Sequence, residues 1–431
     1  MKHARLLIRV TIVLVFSFFV GGGSEDAFGQ VIWDRTQIDR VRSGEYPANE
    51  KIELALENLR KTADKALKND AYSVTHKKIT PPSGDAHDYL SYSRYWWPDP
   101  EKPDGLPYIR KDGVVNRELI AKGDRERLGD FTSDVQDLGL AGYIFKEPRY
   151  TKHAAKLVRT WFLDEATKMN PNLNFGQGVP GRESGRGPGI IDTRNFMLVL
   201  DAVELFDQAN WSADDQKSLQ TWFDQYQQWL DESPLGKHEN RATNNHGSWF
   251  AAQRARYALF AGRDEIAKQI LEAAKKRISD QFDADGNQAA ELERTLSLRY
   301  CLFNLTALSR LARVGDRLGE NLWEFTPEHG CGMKKGLQVL LPYFVEQSKW
   351  PHPQIKEFAL SPSFRLTLCM YGSHFEDSAF IETADKFKET KSQDRDFTAL
   401  IAKEPASTPQ LPKLLSEAKA TFLSGRWFSC I

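Results

Sequence analysis

Apolar residues recur at helical spacing through most of the chain, and this limits the fold more than any other feature. Ala154, Val158, Trp161 and Phe162 fall at i, i+4, i+7 and i+8, one face of a helix. Ala251, Ala255, Ala258 and Leu259 repeat that spacing. So do Ile266, Ile270, Ala273 and Ala274, after a Gly262-Arg263-Asp264 break that suits a C-cap followed by an N-cap. Leu296, Tyr300, Phe303, Ala307 and Leu311 mark a longer helix that is apolar on other faces too, through Leu298, Leu302 and Leu305, as an inner helix is. Further helices are expected at about 36–68, 133–146, 190–208, 212–231, 333–345, 377–389 and 412–423. Runs of alternating Val, Ile and Thr are scarce. Short-looped helices with several apolar faces stack as hairpins into a solenoid or a closed ring. No fixed-period repeat accompanies them, so the ring rests on helix count alone.

Two stretches interrupt the helices. One runs from Ile79 to Val115 and is rich in Pro, Gly, Tyr and Trp; the other runs from Asn170 to Gly189. Loops this long in a compact protein tend to be functional, and in a helical ring they line one rim. Composition narrows what such a rim can hold. The 431 residues carry 58 Lys+Arg against 59 Asp+Glu, so a general nucleic-acid binder with a large basic excess is excluded. Any grip on a polyanion must be a local cluster.

The N-terminus reads as an address. Lys2, Arg5 and Arg9 precede an apolar run from Val10 to Val20, and Ala27-Phe28-Gly29 offers small residues before a cut at Gln30. The run is too short to span a bilayer comfortably. A cleaved signal over 1–29 is expected, with 30–431 as a single domain in a periplasm or outside the cell, as a monomer or weak oligomer. Disulfides are then allowed, but the pairing of Cys301, Cys331, Cys369 and Cys430 is not legible, and free thiols are equally compatible with the sequence.

Four groups of residues could carry chemistry. Asn244, Asn245 and His246 stand just before a helix: fixed amide donors beside a group that titrates near neutrality, or simply a capped helix start. Arg294, Arg299 and Tyr300 place cations beside a phenol, and neighbouring cations lower a phenol's pKa. Arg294 and Tyr300 converge only if Arg294 lies on the loop entering the helix; Glu293, seven before Tyr300, is a rival. Tyr95, Trp96 and Trp97 sit on a Pro-stiffened loop and suit stacking on sugar rings or packing of the loop itself. Gln177, Arg182, Arg186 and Arg194 follow or flank a Gly-rich loop without the Lys-Ser/Thr of a phosphate-binding loop, and guanidinium groups there suit carboxylates. His238, His246, His329, His352 and His374 are scattered without metal-ligand spacing, and no Gly-x-Ser-x-Gly elbow is present. No metal or cofactor is expected.

Taken together, Tyr95-Trp96-Trp97-Pro98-Asp99-Pro100, the stretch from Asn170 through Gly178, Gly189-Ile190-Ile191-Asp192-Thr193-Arg194 and Asn244-Asn245-His246-Gly247 resemble the alginate lyase superfamily over about residues 50–400. The resemblance implies an all-α (α/α) toroid or incomplete barrel, of about six or seven helical hairpins with long rim loops on the hairpin reading. It also implies an Asn-His pair at a helix start, a Tyr fifty-odd residues later and an Arg shortly before it. Here His246 and Tyr300 stand 54 residues apart, with Arg294 six before the Tyr. Gly247 departs from the pattern, in which aromatic or hydroxyl residues follow the His.

The implied reaction is β-elimination on an anionic polysaccharide, mannuronate-rich alginate or glucuronan. Asn245 and Arg294, helped by Asn244, would neutralise the uronate carboxylate, and such electrostatic stabilisation is often the main source of rate in catalysis of this kind. Tyr300 would serve as base and then acid, with His246 orienting it. The substrate would be held by Tyr95, Trp96, Trp97, Gln177, Arg182, Arg186 and Arg194. Two alternatives stand beside this. A glycoside hydrolase would need two carboxylates, with Glu183, Asp192 and Glu293 as candidates. A non-catalytic carbohydrate-binding protein would rely on Trp96 and Trp97.

Overall fold

The computed structural model describes residues 30–46, 49–386 and 395–403. The expected signal at 1–29, the helix at 412–423, the end of the helix at 377–389 and Cys430 lie outside the described residues. Among those described, Cys301, Cys331 and Cys369 are free thiols, and no helix is long and apolar enough to cross a membrane.

The chain is an (α/α) toroid. Arg125–Phe145, Phe196–Val203, Asn245–Phe260, Ser297–Leu318 and Pro362–His374 pack side by side in chain order. Against the backs of these run Pro148–Phe162, Ala213–Glu232, Asp264–Gln281, the short pair Met333–Gln338 and Leu341–Val345, and Ser378–Lys386. Inner helices are buried on several faces: every residue of Phe196–Val203 is buried, and in Ser297–Leu318 most are. The outer helices bury one stripe. Between the layers lies an aromatic core, where Phe131 stacks on Trp161 at 4.6 Å and Phe162 meets Trp222 edge-on at 4.7 Å.

The first and last described segments meet. Glu50–Ala66 packs against both Arg125–Phe145 and Thr398–Ile401, and the amide of Asp34 donates to the Ile401 carbonyl at 2.7 Å. The first described residues are also tied to the inner layer. Asp201 accepts from the backbone amides of Val31, Ile32 and Trp33, and shares the buried Arg256 with Glu204.

Several helices differ from their sequence reading. The helix expected at 36–68 is two, Arg35–Ser43 and Glu50–Ala66, because Gly44 takes a left-handed φ of 76° and caps the first. The segment 190–208 begins as a 3-10 turn, Gly187–Asn195, before Phe196–Val203. Pro342 divides 333–345 into two short helices. Pro362–His374 and Pro234–Asn240 have no clear signal in the sequence, the first because its apolar residues do not gather on a single face.

The two rim stretches hold short strands. Leu90–Tyr92 pairs in parallel with Phe175–Gly178, and Trp96–Trp97 pairs antiparallel with Ile109–Arg110. Gly176 and Gly189 let the strand cross the 3-10 turn at close range: a Cβ on Gly189 would stand 2.3 Å from the Gly176 carbonyl oxygen. Asp192 rivets the layers together. Its buried carboxylate accepts from Ser91 at 2.7 Å, Tyr89 at 3.1 Å, Gln177 at 2.8 Å and Arg125 at 2.7 Å.

Candidate active site

At the rim, the two loops and the N-termini of two adjacent inner helices enclose a cleft of about 480 Å³. Asn245 and His246 open the helix Asn245–Phe260, with the Asn244 side chain capping the His246 amide. Tyr300 sits in the first turn of Ser297–Leu318. Arg294 lies on the incoming loop, as convergence with Tyr300 requires, and its guanidinium lies over the Tyr300 ring at 3.7 Å.

Each of these side chains has a support that the sequence does not disclose. Glu291 accepts from the Asn245 backbone amide at 2.6 Å and from its side-chain amide at 2.7 Å. The second N–H of that amide has no acceptor among the described residues, and Asn245 lines the cleft. Glu239 Oε1 lies 2.7 Å from His246 Nδ1. Asp112 pairs with Arg294 at 2.8 Å and with Arg110 at 2.7 Å. Burial works to raise the Asp112 pKa, but hydrogen bonds from Arg294 and Thr295 win and hold it well below the usual carboxylate range. Gly247, the departure from the family pattern, is also explained. A Cβ there would stand 2.0 Å from the Ala242 carbonyl and 2.1 Å from Arg277 Nη1, which crosses over it.

Tyr95 is buried, and its hydroxyl is 3.1 Å from that of Tyr300. It belongs beside the phenol more than to a sugar-stacking surface. Trp96 lines the cleft. Trp97 does not: its indole donates to the Val114 carbonyl and its face meets Lys111. Gln177, Arg186, Arg194 and Asn244 line the cleft. Arg182 is outside it, stacked on Trp96 at 5.0 Å and bonded to the Tyr108 carbonyl. Gly181, just before it, turns the loop with a left-handed φ of 75°.

The electrostatics of the cleft are one-sided. Seven arginines line it, and Glu293 is the one carboxylate-bearing residue in the lining. Arg125 is answered by Asp192 and Arg294 by Asp112, but Arg94, Arg194 and Arg299 have no carboxylate partner among the described residues. Burial, with help from Arg125 and Arg310, pushes Arg194 down to about 9. Burial lowers Arg94 as well, followed by Arg125. Cations crowded and desolvated in this way are relieved by an incoming anion. Arg94, Arg110 and Arg125 are not legible as binding residues in the sequence, because a lone Arg carries no spacing signal, whereas Arg299 is legible as a cation beside Tyr300; Arg94, adjoining the aromatic loop, comes nearest of the three.

One expectation is overturned. The cationic neighbours of Tyr300 predict an easier ionisation. Burial instead raises its pKa well above the ordinary phenol value; Arg294 and Arg299 oppose this and Tyr95 adds to it. At 7% exposure, desolvation of the phenolate outweighs two guanidiniums.

The hydrolase alternative loses its carboxylate pair. Asp192 is consumed by its four donors, and Glu183 is outside the cleft lining. A helical toroid with a cationic rim cleft suits an anionic substrate. Similarity to known proteins gives the family. The alginate lyase family model matches residues 73–350. The crystal structure of an alginate lyase from Bacteroides ovatus is 35% identical with a TM-score of 0.80, covering 86% of this chain and 98% of that one. Alginate lyase A1-III from Sphingomonas species A1 is 12% identical with a TM-score of 0.55, covering 88% and 96%. A variant of A1-III complexed with tetrasaccharide is 13% identical with a TM-score of 0.57, over the same shares of the two chains. At such identities the likeness to A1-III is one of fold. None of the curated proteins compared matches the chain. The chain belongs to the alginate lyase family, an enzyme family whose substrates are anionic polysaccharides.

Proposed function

We propose that this lyase cleaves a polyuronate, mannuronate-rich alginate or glucuronan, by β-elimination, with His246 as base and Tyr300 as acid. One observation carries the reading: His246 and Tyr300 share a cleft with seven guanidiniums and a single carboxylate. The C5 proton of a uronate is weakly acidic because the adjacent carboxylate is already negative. Arg94, Arg194 and Arg299, the uncommitted cations, together with the free N–H of Asn245 and the outer face of Arg294, neutralise that carboxylate and stabilise the enolate.

His246 Nε2 then takes H5. Electrons move into the C4–C5 bond, the C4–O4 bond breaks, and Tyr300 gives its proton to O4. The product carries a C4=C5 double bond, and the proton held by His246 returns to the Tyr300 phenolate through solvent. A phenol kept protonated by burial is suited to the acid role. The resemblance assigns Tyr300 the base role as well, and the guanidiniums around the ring favour that second reading. The proposed site of action is outside the cytoplasm, on the basic and then apolar N-terminal sequence.

Mannuronan, glucuronan and guluronan assayed by ultraviolet absorbance, with sizing of products, test the reaction. The expected result is a rise in absorbance with polymer shortening on mannuronan or glucuronan. Shortening without absorbance would mean hydrolysis, and binding without either would mean a carbohydrate-binding protein.

A further inference from the structure

The His246 imidazole is held from behind by a carboxylate that holds no other group among the described residues. Glu239 is 1% exposed, and its Oε1 lies 2.7 Å from His246 Nδ1. Its Oε2 is buried with no hydrogen-bond partner among the described residues. The short helix that delivers it, Pro234–Asn240, is pinned at both ends. Ser233 caps its start, and Arg277 donates to the carbonyls of Asn240 at 3.0 Å and Ala242 at 2.5 Å just past its end. Arg277 reaches those carbonyls by crossing Gly247, the residue after the imidazole. The carboxylate and the ring are therefore placed by one rigid corner.

We propose that Glu239 is a positioning residue that fixes His246 as the Nδ1–H tautomer, turns its bare Nε2 to the cleft and balances the ring's charge once it is protonated. An ionised carboxylate only accepts, so the ring proton of a neutral His246 belongs on Nδ1. Nε2 makes no hydrogen bond among the described residues, and the ring lines the cleft. The charged groups facing the pair are Glu291 toward His246, and Arg186 and Arg277 toward Glu239. The inference rests on the reading of His246 as base and deepens it.

The test is E239Q in the whole protein, with E239D beside it. Removing the carboxylate acceptor leaves the ring free to turn and to take the other tautomer, so kcat falls about 10–100-fold while KM changes little. E239D recovers part of the loss. Nitrogen NMR of the wild-type ring shows Nδ1 protonated and Nε2 bare in the neutral form. A wild-type ring protonated on Nε2, or an E239Q variant that keeps the wild-type kcat, overturns the proposal. If His246→Gln keeps wild-type turnover, the base reading fails, whereas the NMR result still decides the Glu239 contact.

Discussion

Tyr300→Phe is expected to lower kcat by about 10²–10⁴-fold on a polyuronate, the usual worth of a placed proton donor. The fold should survive. The ring stays under Arg294, and the main cost is the Tyr95 hydroxyl left without its 3.1 Å partner, about 1 kcal/mol. The sharper result comes from a uronate bearing fluoride at C4, whose departure needs no proton. If Tyr300 acts only as the acid, the variant turns this substrate over at close to the wild-type rate. If it is also the base, the variant stays idle on both. The pH profile offers a second check. With the phenol held above its ordinary value by burial, no falling basic limb assignable to Tyr300 should appear below pH about 10. A rate that climbs with pH toward that value would return the base role to the phenol.

Arg256→Met is expected to destabilise the protein by about 3–5 kcal/mol, the cost of leaving buried carboxylates without their cation. Arg256 is 1% exposed and sits between Asp201 at 3.0 Å and Glu204 at 2.9 Å. Asp201 also holds the amides of Val31, Ile32 and Trp33, so the first described residues should loosen with it. The loss has a pH signature. Burial pushes Glu204 up to about 7 even with Arg256 opposing it. A carboxyl raised in the folded state contributes stability below its unfolded value near 4.5, and that contribution is lost as pH rises through about 7. The deficit of Arg256→Met should therefore be larger at pH 8 than at pH 5 in urea melts. A deficit independent of pH would mean that Glu204 is not the group left exposed to the change.

The site residues divide by whether their signal is local. Asn245 and His246 are legible because a helix start puts amide and imidazole groups at a fixed offset. Tyr300 is legible through its interval from His246 together with the family resemblance. The placement of Arg294 is conditional on a loop, and the break in helix between Leu292 and Ser297 meets the condition. Glu239, Glu291 and Asp112 are not legible: each acts across a loop or from a separate part of the chain, and an isolated carboxylate has no period. Tyr95 reads as a stacking surface because it adjoins Trp96 and Trp97 on a Pro-stiffened loop; only the fold turns its hydroxyl onto Tyr300.

What the chain determined by itself is its helical ring, since the apolar spacing of Ala154 to Phe162 or of Leu296 to Leu311 leaves few other ways to hide those faces. It also determined the residue types at the rim. The three-dimensional arrangement alone decided which arginines are left unpaired and whether the phenol gains or loses its proton easily. Both depend on burial and on charges from distant segments, and those quantities exist only after the loops have closed on one another.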